Sequence, residues 1–344
     1  MRIRRLVVIV ALVALSGLGL WAAVAASTSQ NGGQTYVSTA PGTPAFEHMV
    51  QLSDVIGKRI AGKTGEQQAA AYITQVLTDA GYSVQAQDFS FSTGSGTRQS
   101  KNLVATKPGT SSKRIVIGAH YDSVSVGRGA FDNASGVALM LQLAQDLQAV
   151  STPYTLVFVA FGAEEYGLFG SKHYVKTLSA SDLSDTVLDI NFDSVAAGDQ
   201  LCVYSAPGAL SWPRLELQRD ARGQDLMFLT NPGLNPDYPY GATGDWSDHV
   251  AFRKAGIPYL YFEATNWMIG WQDGYLNTTK DGEIWHSKKD TVSFIEARYP
   301  GRLLEQLSAS VVALEDFLGG PLPVPAGPAR ADAPPPEVLP AGQR

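Results

Sequence analysis

Between Ala45 and Leu318 the chain alternates between helical and strand-like spacing of its apolar residues. Ala45–Ile56 and Glu66–Ala80 carry apolar positions at helical intervals. Gly81 ends the second run, and Thr64 reads as its N-cap. Tyr82–Phe91 alternates every second residue and predicts a strand, with another at Lys101–Thr106. Arg114–Gly118 is a short apolar strand, and Ser135–Val150 a long amphipathic helix. Tyr154–Phe161 (YTLVFVAF) is almost wholly apolar, as expected of a central strand buried on both faces. Gly170–Leu178 is helical, Val187–Phe192 a strand, Ser247–Lys254 a helix, Tyr259–Phe262 a strand and Arg298–Leu318 a closing helix. Strands alternating with helices predict the α/β class: a single-domain three-layer sandwich, with a mostly parallel (mixed) twisted sheet between helices.

The two ends read differently. Arg2, Arg4 and Arg5 precede an apolar run over Leu6–Ala26, and Ala23-Val24-Ala25 offers a small-residue cleavage site. Residues 1–26 are therefore expected to be a signal peptide or an uncleaved membrane anchor, since the run approaches the ~20 residues that span a bilayer. Either form exports the chain to the outside, the periplasm or the cell envelope. Residues 27–44 read as a polar linker and 45–318 as the folded domain. Residues 319–344 are rich in Pro and Ala with few large apolar side chains, so a disordered tail is expected there.

Composition narrows the functions. A formal charge of -6 gives no basic face for nucleic acid, and none is expected as a partner. The single cysteine, Cys202, excludes an internal disulfide and multi-cysteine zinc sites, and is expected to be a buried apolar filler. Gly57–Thr64 (GKRIAGKT) matches the phosphate-loop pattern letter for letter. That pattern needs a buried strand before the loop, and here the preceding segment reads as a helix, so no nucleotide site is expected.

In open α/β sheets, ligands gather beyond the C-terminal ends of the strands. His120 and Asp122 follow the strand at Arg114, Glu164 and Glu165 follow YTLVFVAF, and Asp193 follows Val187–Phe192. A lone Glu-Glu pair is usually solvated surface, but one placed after a buried strand is better read as chemical. Zinc takes imidazole nitrogen and carboxylate oxygen, and two metals ~3.5–4 Å apart clamp one reacting group. His120, Asp132, Glu165, Asp193 and His286 form a suitable set. Asp132 sits in a small-residue loop, Gly129–Gly136, that opens a helix and lets the chain approach an ion closely.

The segments AHYDSV, GAFDNASGVALMLQLA, FVAFGAEEYGLFGS, LDINFDSVA and WHSKKDT, in that order, resemble the zinc aminopeptidases of peptidase family M28. SDHVAFRKAGIPYLYFEATNW, with DGY and PGR, is similar to one branch, the bacterial alkaline-phosphatase isozyme conversion aminopeptidases. The resemblance implies an enzyme that removes the first residue of peptides or proteins with two Zn2+. It implies that His120, Asp132 and Asp193 hold one ion and Asp132, Glu165 and His286 the other, Asp132 bridging. Glu164 would then be the general base, and Asp122 would orient His120. Asp290 either orients His286 or caps a turn. His249 either caps a helix or lines the substrate cleft. Glu263 and Asp273, in an aromatic-rich stretch, would favour a basic first residue. The rivals are a single-zinc glutaminyl cyclase on the same fold and a non-catalytic binding relative. A serine hydrolase is set aside, because G-x-S-x-G is absent.

Overall fold

The computed structural model describes residues 40–325, and the expected N-terminal signal or anchor lies outside them. No helix among the described residues is long and apolar enough to cross a membrane. Seven strands form one sheet: β1 (Val84–Thr93), β2 (Gly96–Lys107), β3 (Arg114–His120), β4 (Thr155–Phe161), β5 (Thr186–Phe192), β6 (Gln200–Tyr204) and β7 (Tyr259–Thr265). Their spatial order is β1-β2-β4-β3-β5-β7-β6. The central four, β4-β3-β5-β7, run parallel, and antiparallel strands close both sides. Parallel strands need crossovers, and the helices supply them.

Strand periodicity divides the core into layers. Ile115, Ile117, Leu156, Phe158, Leu188, Ile190, Leu260 and Phe262 point to one face. There they meet α1 (Thr43–Val50), α2 (Thr64–Asp79), α3 (Ser135–Leu147) and α9 (Arg302–Gly319). Val116, Val157, Val159 and Phe161 point to the other, against Tyr174 of α4 (Phe169–Thr177) and Phe252 of α7 (His249–Lys254). Tyr259 and Tyr261 share that second face with Tyr204 and Trp267 in an aromatic cluster. This is the expected mixed, mostly parallel three-layer sandwich.

Several local expectations are corrected. Thr64 does not cap its helix: Lys63 holds the extended N-cap position, with no side-chain capping bond. The closing helix, α9, starts at Arg302 and not at Arg298, because Gly301 turns the chain at φ 79°, and a further helix, α8 (Val292–Arg298), precedes it. Strand β6 and two helices, α5 (Ala180–Asp185) and α6 (Trp212–Gly223), go beyond the sequence expectation. Past residue 318 the chain stays packed for a few residues. Leu322 is buried, and its main-chain N–H and carbonyl both meet the Tyr154 hydroxyl at 3.2 Å. Cys202 is fully buried, as expected.

Candidate metal centre

The C-terminal ends of β3, β4 and β5 bring their polar residues to one place. His120 is the last residue of β3, Glu164 and Glu165 follow β4, and Asp193 follows β5. The fourth contributor is the loop before α3, where Asp132 leaves helical geometry at φ -113°, ψ 96°. Asn133 ties that loop to β5. Its amide donates to the Phe192 carbonyl at 2.8 Å, and its oxygen accepts Gly136 N at 3.0 Å and Ser194 N at 3.2 Å. Sequence reasoning did not single out Asn133, although it stands beside Asp132 in the motif.

Asp132 faces two imidazoles with different oxygens. Oδ1 lies 3.2 Å from His120 Nε2, and Oδ2 lies 3.1 Å from His286 Nε2. His120 Nε2 is also 3.4 Å from Asp193 Oδ1, and His286 Nε2 is 3.0 Å from Glu165 Oε2. Two groups of metal-type donors result, His120–Asp132–Asp193 and Asp132–Glu165–His286, sharing Asp132. Ligands of a tetrahedral zinc at ~2.0–2.2 Å stand about 3.4 Å from one another. The observed separations match, and every donor is the imidazole nitrogen or carboxylate oxygen that zinc takes. The residues fit the metal.

Around these donors the chain is tightly held. Asp122 accepts Glu164 N at 3.0 Å and Glu165 N at 3.2 Å, and its Oδ1 lies 3.6 Å from His120 Nδ1. It therefore fixes the Glu164–Glu165 turn as well as facing His120. Glu165 Oε1 accepts Val124 N at 3.0 Å, which leaves Oε2 for His286. Asp290 does not reach His286. Its carboxylate accepts Phe131 N at 2.6 Å and Asp132 N at 3.3 Å, so it supports the Asp132 loop. Ala163, Ser194 and His286 adopt left-handed φ of 50–55° beside or within the cluster. Such conformations cost free energy in non-glycine residues and gather at functional sites.

Burial sets the electrostatics. Glu164 is pushed well above the ordinary carboxyl range, first by burial, then by Asp248, Glu165 and Asp193, against the pull of His120. Burial and Asp132 raise Glu165 to about 7. Burial alone would raise Asp132 too, but His120 and His286 hold it below its usual value. Burial would lower His286, but Asp132 and Glu165 carry it up to about 12.

The remaining expected residues lie apart from the two donor groups. His249 is buried and stacked on Tyr261 at 4.7 Å, and burial lowers its pKa to about 3. No side-chain cap is formed at its helix. Glu263 is buried on β7 beside the Tyr204 hydroxyl and the Trp246 indole. Asp273 closes its own turn, accepting Tyr275 N at 3.0 Å. Asp248, the residue before His249, is fully buried and close enough to Glu164 to raise it.

A mostly parallel sheet whose strand ends deliver one imidazole and several carboxylates to one place, where a loop adds a second imidazole, defines an α/β enzyme with a metal-type centre. Residues 102–311 match peptidase family M28, and the chain belongs to that family. By family and relatives it is a metallo-aminopeptidase, a hydrolase acting on peptide bonds. It is 32% identical over 300 residues to the alkaline phosphatase isozyme conversion protein of Escherichia coli, covering 77% of this chain and 86% of that one. It is also 32% identical to aminopeptidase YwaD of Bacillus subtilis (57% of this chain, 40% of that one). The probable lipoprotein aminopeptidase LpqL of Mycobacterium tuberculosis is again 32% identical, over 66% of this chain and 48% of that one. Among solved structures, the zinc aminopeptidase BSAP of Bacillus subtilis superposes with a TM-score of 0.64 at 20% identity, covering 80% and 95% of the two chains. The glutaminyl cyclase of Tannerella forsythia does so at 0.66 and 20%, covering 83% and 100%. These two likenesses concern the fold.

Proposed function

We propose that the protein is a co-catalytic two-zinc aminopeptidase that removes the N-terminal residue of peptides or proteins. The observation that carries this reading is the division of Asp132 between two donor groups, one oxygen toward His120 and the other toward His286. His120 and Asp193 would complete one ion's ligands, and Glu165 and His286 the other's. Zinc bound there supplies Lewis-acid polarisation of the scissile carbonyl and eases deprotonation of the attacking water. Glu164 is the general base: it takes the proton of that water and returns it to the leaving amine. Its raised proton affinity suits a group that must accept a proton and keep it briefly. Asp122 and Asp290 position Glu164, Glu165 and Asp132 through main-chain amides.

The test is a panel of aminoacyl-anilides with purified protein, with and without chelator, beside Glu164→Ala. Loss of hydrolysis under both treatments is expected, and hydrolysis surviving both would refute the mechanism. Two bound zinc ions and release of free amino acids would separate this reading from a single-zinc glutaminyl cyclase.

A finer part of the reading concerns the first residue. Glu263 is a buried carboxylate whose Oε2 has no hydrogen-bond partner, and Tyr204 and Trp246 flank it. Burial, then Asp193 and Asp132, hold the Glu263 carboxyl well above its ordinary range, and a cationic first side chain brought beside it would favour its charged form, so a preference for basic first residues is proposed. Rates on Arg- and Leu-anilides before and after Glu263→Ala test it, and an unchanged ratio removes Glu263 from the account. Export rests on the Arg-led apolar segment over residues 2–26. N-terminal sequencing of the mature protein separates cleavage from anchoring.

A further inference from the structure

The phosphate-loop look-alike, Gly57–Thr64, contains the most heavily bonded cation described in the structure. Arg59 is fully buried. Its Nε donates to the Tyr121 carbonyl at 2.8 Å, and its Nη2 to the Gly129 carbonyl at 2.7 Å. Its Nη1 faces the carbonyls of Leu52 at 3.2 Å, Gly57 at 3.0 Å and Arg128 at 3.0 Å. All five acceptors are main-chain oxygens. The main chain of Arg59 adds two bonds to one residue: its N–H donates to Ser123 Oγ at 3.0 Å, and its carbonyl accepts Ser123 N at 3.2 Å.

These acceptors are not scattered. Tyr121 and Ser123 bracket Asp122 directly after His120, and Arg128 and Gly129 lead into Asp132. One rigid guanidinium fork thus joins the two loops that carry the shared carboxylate and the buried imidazole. It also ties both to the preceding helical segment, at Leu52 within it and at Gly57 just past its end. Glycine makes the approach feasible. Gly129 has φ 62°, and a Cβ there would stand 2.7 Å from Arg59 Nη2. The charge matters as well as the shape. The carboxylates acting on Arg59 are Asp290, Asp132, Asp122 and Glu165. A buried cation is costly unless paired and bonded, and here it lies behind the acidic cluster.

The same segment supports the other loop. Glu66 accepts Gly62 N at 2.6 Å and the Ser100 hydroxyl at 2.5 Å. A Cβ on Gly162, two residues before Glu164, would come within 3.1 Å of Glu66 Oε1.

We propose that Arg59 is a positioning residue for the metal centre, holding the His120–Ser123 and Arg128–Asp132 loops in ligand geometry and offsetting their carboxylates before any ion arrives. This rests on the two-zinc reading of those loops. Arg59→Lys keeps the charge and loses the fork, since an ammonium is a point charge on a flexible stem. Arg59→Met loses both.

The test combines zinc affinity by chelator competition, kcat and KM on an anilide, and amide exchange of residues 121–132 in metal-free protein. Groups supporting metal ligands from behind are worth 10–100-fold in affinity or activity. Zinc dissociation constants are therefore expected to rise about tenfold in Arg59→Lys and about a hundredfold in Arg59→Met, with kcat falling and KM nearly unchanged. In metal-free wild-type protein, residues 121–132 should exchange slowly. In metal-free Arg59→Met they should exchange at least about tenfold faster, while strands β3–β5 stay protected. Folded variants with wild-type zinc affinity would overturn the proposal. So would fast exchange of 121–132 in metal-free wild-type protein, a result that decides the matter even if Arg59→Met does not fold. If wild-type protein takes up no zinc, the two-zinc reading fails, and the metal-free exchange data still judge Arg59.

Discussion

The two donor groups that share Asp132 are built from different material. His120 and Asp193 stand at the ends of neighbouring parallel strands, and all three members of their group are buried. His286 stands on a loop, stacked on Trp285 at 5.4 Å, and 43% of its side chain is exposed. One group is therefore fixed by the sheet, and the other closes through one surface residue. Ligands held before an ion arrives lose little freedom on binding. The inner group should bind more tightly, and the outer should exchange its ion first.

Removing the shared carboxylate tests this contrast most severely. Asp132→Ala should abolish both sites at once, with zinc content and anilide hydrolysis falling to background. Retention of a full inner ion would show that Asp132 is not common to both. Glu164→Gln should do the opposite. Both groups keep their zinc, while kcat falls by about 10²–10⁴ and KM changes little, as for loss of a general base. Next come the two imidazoles. His120→Ala should cost more zinc affinity than His286→Ala, which should leave about one tightly held ion per chain. Equal losses would erase the distinction.

Acid should separate the groups more gently. In the metal-free protein Asp132 and Glu165 carry His286 up to about 12 against the pull of burial, and Glu165 itself rises to about 7. Burial would lower His120 likewise, but Glu164, Asp193, Asp122 and Asp132 carry it well above its usual value. Zinc must therefore displace protons from both groups, and affinity falls as pH falls. Glu165 belongs to the outer group alone and titrates near neutrality. Lowering pH from 8 to 6 should therefore strip the outer ion before the inner, followed by chelator competition at each pH. Parallel loss would contradict it.

The sequence exposed some of this and hid the rest, for physical reasons. Strand ends are legible because a buried strand is a run of apolar letters, and whatever follows it is conspicuous. His120, Glu164, Glu165 and Asp193 stand out in that way, and the structure brings them to one cluster. Asp132 and His286 lie on loops without periodicity: a small-residue loop opening a helix marks Asp132, while His286 shows only its residue type, and motif likeness gives both their roles. Helix α6 buries only Pro213, Arg214, Leu217 and Ala221, so its charged letters read as loop. Strand β6 is five residues long and lacked a marked boundary. Arg59 was unreadable in another sense. A buried arginine that bonds only to carbonyls depends on no particular partner side chain, and its letters happened to spell a different motif. Asp290 shows the limit of spacing: four residues from His286, it serves Asp132 instead.

The most direct measurement is a zinc titration of chelator-stripped wild-type protein, read simultaneously as bound metal and as release of the first amino acid from a peptide. The account predicts uptake of two equivalents in separable steps, with full peptide cleavage only after the second. Saturation at one equivalent, or cleavage undiminished in the stripped protein, would contradict it.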